Sequence, residues 1–174
     1  LLNIESLRLI KTKAETDDLT RLLNRGAILE RLELNLVRAQ RNNDNLSIAF
    51  VDVDDFKNVN DKFGHETGDR CLKNLAQLLI DELPENSVIG RYGGDEFLAI
   101  LPKVTKLEAK HFLTIVSDKI IPMVVENQRC EYTISIGISE LKSDTKDRLE
   151  LIREADKALY ASKDKGKNQI NLAH

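Results

Sequence analysis

The stretch Leu46–Asp54, LSIAFVDVD, constrains the fold more than any other part of the chain. Its alternating β-formers mark a buried strand, and the strand ends in acids. The segments after it have equally clear periods. GHETGDRCLKNLAQLLIDEL (Gly64–Leu83) places Cys71, Leu72, Leu75, Leu78 and Leu79 on one helical face, with Pro84 as a stop just past its end. SVIGRYGGDEFLAIL reads as strand, Gly-Gly turn, strand. Lys106 to about Val125 is expected as a helix kinked or ended near Pro122. Tyr132–Leu141 is expected as a strand and Leu149–Lys163 as a helix.

The order from Leu46 is therefore strand, helix, strand, strand, helix, strand. That is an α+β chain with the ferredoxin-like or palm βαββαβ order, an antiparallel sheet and additional flanking helices. In this topology the first and third strands are neighbours, so Asp52 and Asp54 are expected beside the Gly93-Gly94 turn and Asp95-Glu96. The sequence thus predicts a cluster of three or four carboxylates. Ahead of this unit, Ile4, Leu7, Ile10 and Ala14 recur at helical spacing, which suits either a lone surface helix or the end of a coiled coil. DDLTRLLNR (Asp17–Arg25) looks like a helix boundary, and a second helix follows with Ile28, Leu29, Leu32 and Leu36.

Composition narrows the function classes. The chain has 174 residues, 41% hydrophobic and 32% charged, which suits one domain with a real core. Net charge is −3, so a general affinity for nucleic acid or an anionic membrane is not expected. Apolar clusters such as Ile120–Val125 are too short to span a bilayer, and no signal-peptide pattern opens the chain. The two cysteines, Cys71 on an apolar helical face and Cys130 in a polar turn, are expected as free thiols. The chain opens on Leu1 rather than Met, which suggests a piece of a longer protein.

Crowded carboxylates raise one another's pKa unless a cation neutralises them. Oxygen-only ligation without a Cys or His cluster fits Mg²⁺ or Mn²⁺ and argues against zinc. Gly93 and Gly94 carry no side chains, so a triphosphate could approach the backbone closely. Phe56 and Lys57 follow the acidic strand end, where their N–H groups could cup phosphate oxygens. Asn60 and Asp69 flank the start of the Gly64–Leu83 helix, and judged alone they read as capping residues. KDKGKN (Lys163–Asn168) reads as a solvated helix C-terminus whose lysines could also clamp a phosphate tail.

Four blocks in order, DDLTRLLNR, VDVDDFKNVNDKFGHETGD, RYGGDEF and ADKALYASKDKGKN, with SIGIS (Ser135–Ser139) between the last two, resemble the GGDEF domain of diguanylate cyclases. The resemblance spans roughly residues 14–172 and implies a nucleotide-cyclase-like fold. It implies that Asp52 and Asp95, with the Val53 carbonyl, hold Mg²⁺ or Mn²⁺. It makes Glu96 essential, either as a metal ligand or in activating the attacking hydroxyl. By the same resemblance Asn60 and Asp69 read guanine, while the backbone around Asp55, Phe56 and Lys57, with Lys163 and Lys167, holds the β- and γ-phosphates. The implied reaction joins two GTP into cyclic di-GMP, a bacterial second messenger, and releases two pyrophosphates across a homodimer. Residues 1–16 would be a signalling helix from an upstream sensor and residues 17–174 the catalytic domain, in the cytoplasm.

Three positions depart from the family pattern. Arg21 stands where D-x-L-T-G-L-x-N-R has glycine, which predicts altered hinge geometry. Lys167 stands where arginine is frequent and lacks its planar fork. Pro84-Glu85-Asn86-Ser87 occupies the place of the inhibitory R-x-x-D, with neither charge present, so no product inhibition through that site is expected. A catalytically silent GTP-binding module is the main alternative. A plain dimerisation module and a primer-dependent nucleotidyl transferase are weaker ones.

Overall fold

The computed structural model describes residues 14–174, so most of the expected helix over 1–16 lies outside the described residues. The first full helix, α1 (Arg25–Asn42), starts at Asn24, whose side chain accepts from the Ala27 N–H. It leads into β1 (Leu46–Val53), which is buried along its whole length. A short helix α2 (Phe56–Phe63) follows, and then α3 (His65–Glu82). Strands β2 (Val88–Arg91) and β3 (Glu96–Pro102) form the expected hairpin. Helix α4 (Lys106–Asp118) is closed at its start by a capping box between Thr105 and Glu108.

Strands β4 (Met123–Val125) and β5 (Gln128–Cys130) make a separate two-stranded hairpin. Then come β6 (Ile134–Glu140), α5 (Arg148–Asp164) and β7 (Ile170–Leu172). The main sheet runs β2-β3-β1-β6-β7. Its first four strands pair antiparallel, as the sequence order predicts, and β7 joins β6 in parallel at the edge.

Alternation along β1 divides the core into two layers. Ala49, Val51 and Val53 face a cluster with Leu72, Leu75 and Leu79 of α3 and Leu113 of α4. Leu46, Ile48 and Phe50 face Ile28 and Leu32 of α1 and Leu151, Ala155 and Leu159 of α5. The sheet is thus covered on both faces, which is why β1 carries apolar residues on both sides.

Three local expectations need correction. Helix α4 ends at Asp118, ahead of Pro122, and does not reach Val125; residues 123–130 instead form a hairpin that turns through Glu126 and Asn127, both at positive φ. The segment between Asp54 and Gly64, for which the sequence order has no element between strand and helix, forms α2. Cys130 lies not in a polar turn but buried on β5, in the same core cluster as Cys71. Both thiols are free, and burial beside each other pushes the Cys71 thiol up to about 12.

Candidate active site

Antiparallel pairing sets Asp52 directly opposite Glu96, and Asp52 also faces Ser135 on the other side of β1. Asp52 is only 5% exposed. Alternation puts it on the α1/α5 side of the sheet, and there α5 delivers Lys163, whose Nζ lies 2.9 Å from Asp52 Oδ2. The approach depends on Gly137 of β6. A Cβ at that position would stand 2.1 Å from the Leu159 amide nitrogen and 2.2 Å from the Ala155 carbonyl oxygen. Only glycine lets α5 lie this close to the sheet.

Burial pushes the Asp52 carboxyl up to about 6; the Lys163 hydrogen bond works against this, while the charges of Asp95 and Glu96 add to it. Lys163 loses solvation too, yet Asp52, Glu96 and Asp95 together raise its pKa. The neighbouring carboxylates contribute to both shifts, after burial in the case of Asp52. The Lys163 ammonium faces three carboxylates, so the site holds an excess of negative charge.

The turn before β3 is built to hold its acids in place. The Tyr92 and Gly93 N–H groups both donate to the Glu96 carbonyl, and the Val53 N–H donates to the Asp95 carbonyl at 3.2 Å. Arg91 donates through Nε and Nη2 to the Gly94 carbonyl and through Nη1 to the Asp17 carboxylate. Asp17 in turn accepts from the Thr20 N–H and hydroxyl. The two glycines have different reasons. A Cβ at Gly93 would lie 2.7 Å from a Glu96 carboxylate oxygen, so that glycine makes room for Glu96 itself. A Cβ at Gly94 would meet nothing within 4 Å, so the protein's own packing makes no demand there.

Asp54 does not join the acidic cluster, contrary to the sequence expectation. It accepts from the Thr133 and Ser135 hydroxyls at 2.7 and 2.6 Å and from the Asn168 N–H at 3.0 Å. It is therefore a structural staple between β1, β6 and the loop after α5. Asp55, at φ 51°, turns the chain into α2 and pairs with Lys167, itself at φ 64°. The Asp55 carbonyl accepts from the Asn58 and Val59 N–H groups, and no side chain caps the helix start at Phe56 and Lys57.

Asn60 and Asp69 lie on α2 and α3, not at caps; the α3 N-cap is Gly64, with no side-chain hydrogen bond. Asn60 Oδ1 is buried and has no hydrogen-bond partner. Asp69 is exposed, one residue beyond Gly68, against which the Asn60 carboxamide rests.

A divalent cation fits this donor set. The ligands on offer are hard oxygens, and burial, with the charges of Asp95 and Glu96 added, already raises the Asp52 pKa. Among the described residues no three His, Cys, Asp or Glu side chains converge as a ready cage. That matches a metal held by few carboxylates plus ligand phosphates rather than an all-protein site.

The family model described as "Diguanylate cyclase, GGDEF domain" matches residues 14–169. The chain belongs to the GGDEF family. It is 37% identical over 166 residues to the diguanylate cyclase DgcP of Pseudomonas aeruginosa, covering 94% of this chain and 24% of that protein. It is 32% identical over 159 residues to the diguanylate cyclase DosC of Escherichia coli, covering 90% of this chain and 34% of that protein. The GGDEF chain thus spans about a quarter to a third of these relatives' length.

Among solved structures, the coiled coil and GGDEF domain of DgcB from Caulobacter crescentus, in complex with c-di-GMP, superposes with a TM-score of 0.91 at 29% identity, covering 97% of this chain and 91% of that one. Diguanylate cyclase SiaD of Pseudomonas aeruginosa, in complex with its activator SiaC, matches at 0.88 and 35% identity, covering 98% and 66%. The GGDEF fold, mixed at its β7 edge, is therefore the expected one.

Sequence reasoning assigned no role to Arg91, Asp17 or Gly68. The first two stand in matched blocks, but their contact spans 74 positions and no periodicity reveals it. A glycine inside a helical pattern was the available signal for Gly68.

Proposed function

We propose that this domain is a diguanylate cyclase that condenses two GTP into cyclic di-GMP and two pyrophosphates across a homodimer. The observation that carries the reading is the Asp52–Glu96 cross-strand pair, with Asp95 beside it and the Lys163 ammonium facing them. Mg²⁺ or Mn²⁺ held by Asp52, Asp95, Glu96 and the Val53 carbonyl would neutralise charge on the transferring phosphate.

The chain's own residues do the rest. The uncapped start of α2 presents the Phe56 and Lys57 N–H groups to the β- and γ-phosphates after the Asp55 turn. Lys163 and Lys167 exchange their carboxylate partners for phosphate oxygens. Open space at Gly94, beside Gly93, admits the phosphate chain. Asn60 and Asp69 read the guanine edge, whose ring N–H and 2-amino group are donors that adenine does not combine. Glu96 takes up the 3′-hydroxyl proton or shares the metal. Two domains facing each other convert the meeting of two nucleotides into a step within one assembly.

Residues 84–87 form a turn closed by Ser87 N–H to the Pro84 carbonyl and offer neither the arginine nor the aspartate of an inhibitory site. The reading accordingly includes no product inhibition there. It also includes an upstream sensor acting through residues 1–16, and a cytoplasmic setting. Among the described residues no helix is long and apolar enough to cross a membrane.

The test is incubation of concentrated domain with GTP and Mg²⁺ or Mn²⁺, followed by nucleotide separation. Cyclic di-GMP formed by the wild type should fall by ~10²-fold or more in Glu96→Gln. GTP binding without turnover, even with a dimeriser fused at the N-terminus, would instead mark a silent regulatory module. Equal use of ATP would overturn the roles of Asn60 and Asp69.

A further inference from the structure

Gly68 sits in the first turns of α3, buried, in a backbone conformation open to any residue. Helix propensity favours alanine over glycine there by about 1 kcal/mol. Packing forbids it. A Cβ at Gly68 would lie 1.9 Å from Asn60 Oδ1 and 3.0 Å from Asn60 Cγ, with Phe56 Cζ at 3.1 Å. The Asn60 carboxamide occupies the very space a side chain would take.

The same carboxamide has a buried oxygen without a donor. Such an oxygen costs folding free energy, about 1–3 kcal/mol, so the arrangement is not there for stability. With no hydrogen bond to Oδ1, packing against the bare Cα of Gly68 fixes how that group is turned.

We propose that Gly68 is a specificity-determining positioning residue, holding the Asn60 carboxamide at the depth and orientation in which it meets a purine base. The inference rests on the reading of Asn60 as a base contact and adds what orients it. Gly68 touches no reacting atom; it acts through Asn60. Its position one residue before Asp69 couples the two base-reading residues, since one turn of α3 presents Asp69 and backs Asn60.

The test uses 3′-deoxy-GTP, which lacks the attacking hydroxyl and reports binding without turnover, titrated calorimetrically against four proteins. These are the wild type, Gly68→Ala, Asn60→Ala and the double variant, each with a thermal melt. Gly68→Ala is expected to bind at least about tenfold more weakly, the equivalent of one lost hydrogen bond. Its preference for 3′-deoxy-GTP over 3′-deoxy-ATP should narrow, while its melting temperature stays level or rises. In the Asn60→Ala background, Gly68→Ala should cost nothing further.

Binding by Gly68→Ala within twofold of wild type, or an equal loss in both backgrounds, overturns the proposal. Misfolding of Gly68→Ala cured by Asn60→Ala supports the same contact, whereas misfolding in both backgrounds overturns it. A wild type that binds neither nucleotide defeats the reading of the site itself, and this inference with it.

Discussion

Lys163, in the last turn of α5, reaches Asp52 at the end of β1 with Nζ and Oδ2 2.9 Å apart. The two residues are 111 positions apart, and their meeting requires α5 to lie almost on the backbone of β6. The charge pattern of the site therefore depends on a close backbone approach at Gly137.

Gly137→Ala should be severely destabilising. The new methyl would enter the backbone of α5, which cannot move aside as a flexible side chain would. A loss of about 2–3 kcal/mol is expected from overpacking. Urea unfolding at constant m-value measures it. A stability equal to wild type would mean that α5 tolerates a wider spacing than the structure has.

Arg21 has φ 62° in a position where the family pattern has glycine. Its N–H still donates to the Asp17 carbonyl at 2.9 Å, so the turn is closed despite the substitution. The side chain is exposed and its pairing with Asp18 is loose, at 3.9 Å. Arg21→Gly should relieve left-handed strain and raise stability by about 0.5 kcal/mol after the added unfolded-state entropy is counted. Paired thermal melts of the two proteins check the sign.

Asp17 gives a pH signature. Burial works to raise its carboxyl, but the Thr20 hydrogen bonds and the Arg91 guanidinium outweigh this and hold it below the ordinary 3.8. A depressed folded-state pKa contributes stability above the unfolded value and loses it as pH falls through the folded one. Asp17→Asn should therefore cost about 1–2 kcal/mol near neutrality. The gap to wild type should close progressively below pH 3.8. Denaturant titrations across the acid range measure it, and a gap independent of pH would remove the carboxylate from the account.

Asp54→Ala separates staple from ligand. It removes three hydrogen bonds to one carboxylate. The expected cost is about 3 kcal/mol, with looser packing of residues 166–169 visible as faster amide exchange. A fully stable variant that loses only metal affinity would return Asp54 to the acidic cluster.

Cys71 and Cys130 are each 0% exposed. Neither should react with an aromatic disulfide reagent in the native state at neutral pH, and both should titrate at once on unfolding. Prompt labelling of the folded protein would show that the β4–β5 hairpin opens readily.

The order of the sheet strands β1, β2, β3 and β6, with the helices α3 and α4 between them, and the placing of Asp52 beside Glu96 could be read in the sequence. Hydrophobic period and turn chemistry are local, and the ferredoxin-like order then forces β1 beside β3, bringing Asp52 to Glu96. Helix α2 was missed because the sequence between Asp54 and Gly64 is dense in turn-forming Asp and Asn. The β4–β5 hairpin was missed because its strands are three residues each.

Asp52 and Asp54 look equivalent along the chain, yet one faces Lys163 and the other is bound to Thr133, Ser135 and Asn168. By itself the sequence determined the family, the order of the four antiparallel strands and that Asp52 stands near the turn. Only the tertiary structure decided which acid remains free for chemistry, why Gly68 and Gly137 carry no side chain, and what holds the turn at Arg91. The division follows from range. Periodicity and turn propensity act over a few residues, whereas a hydrogen bond or a steric limit depends on chain segments that meet only after folding.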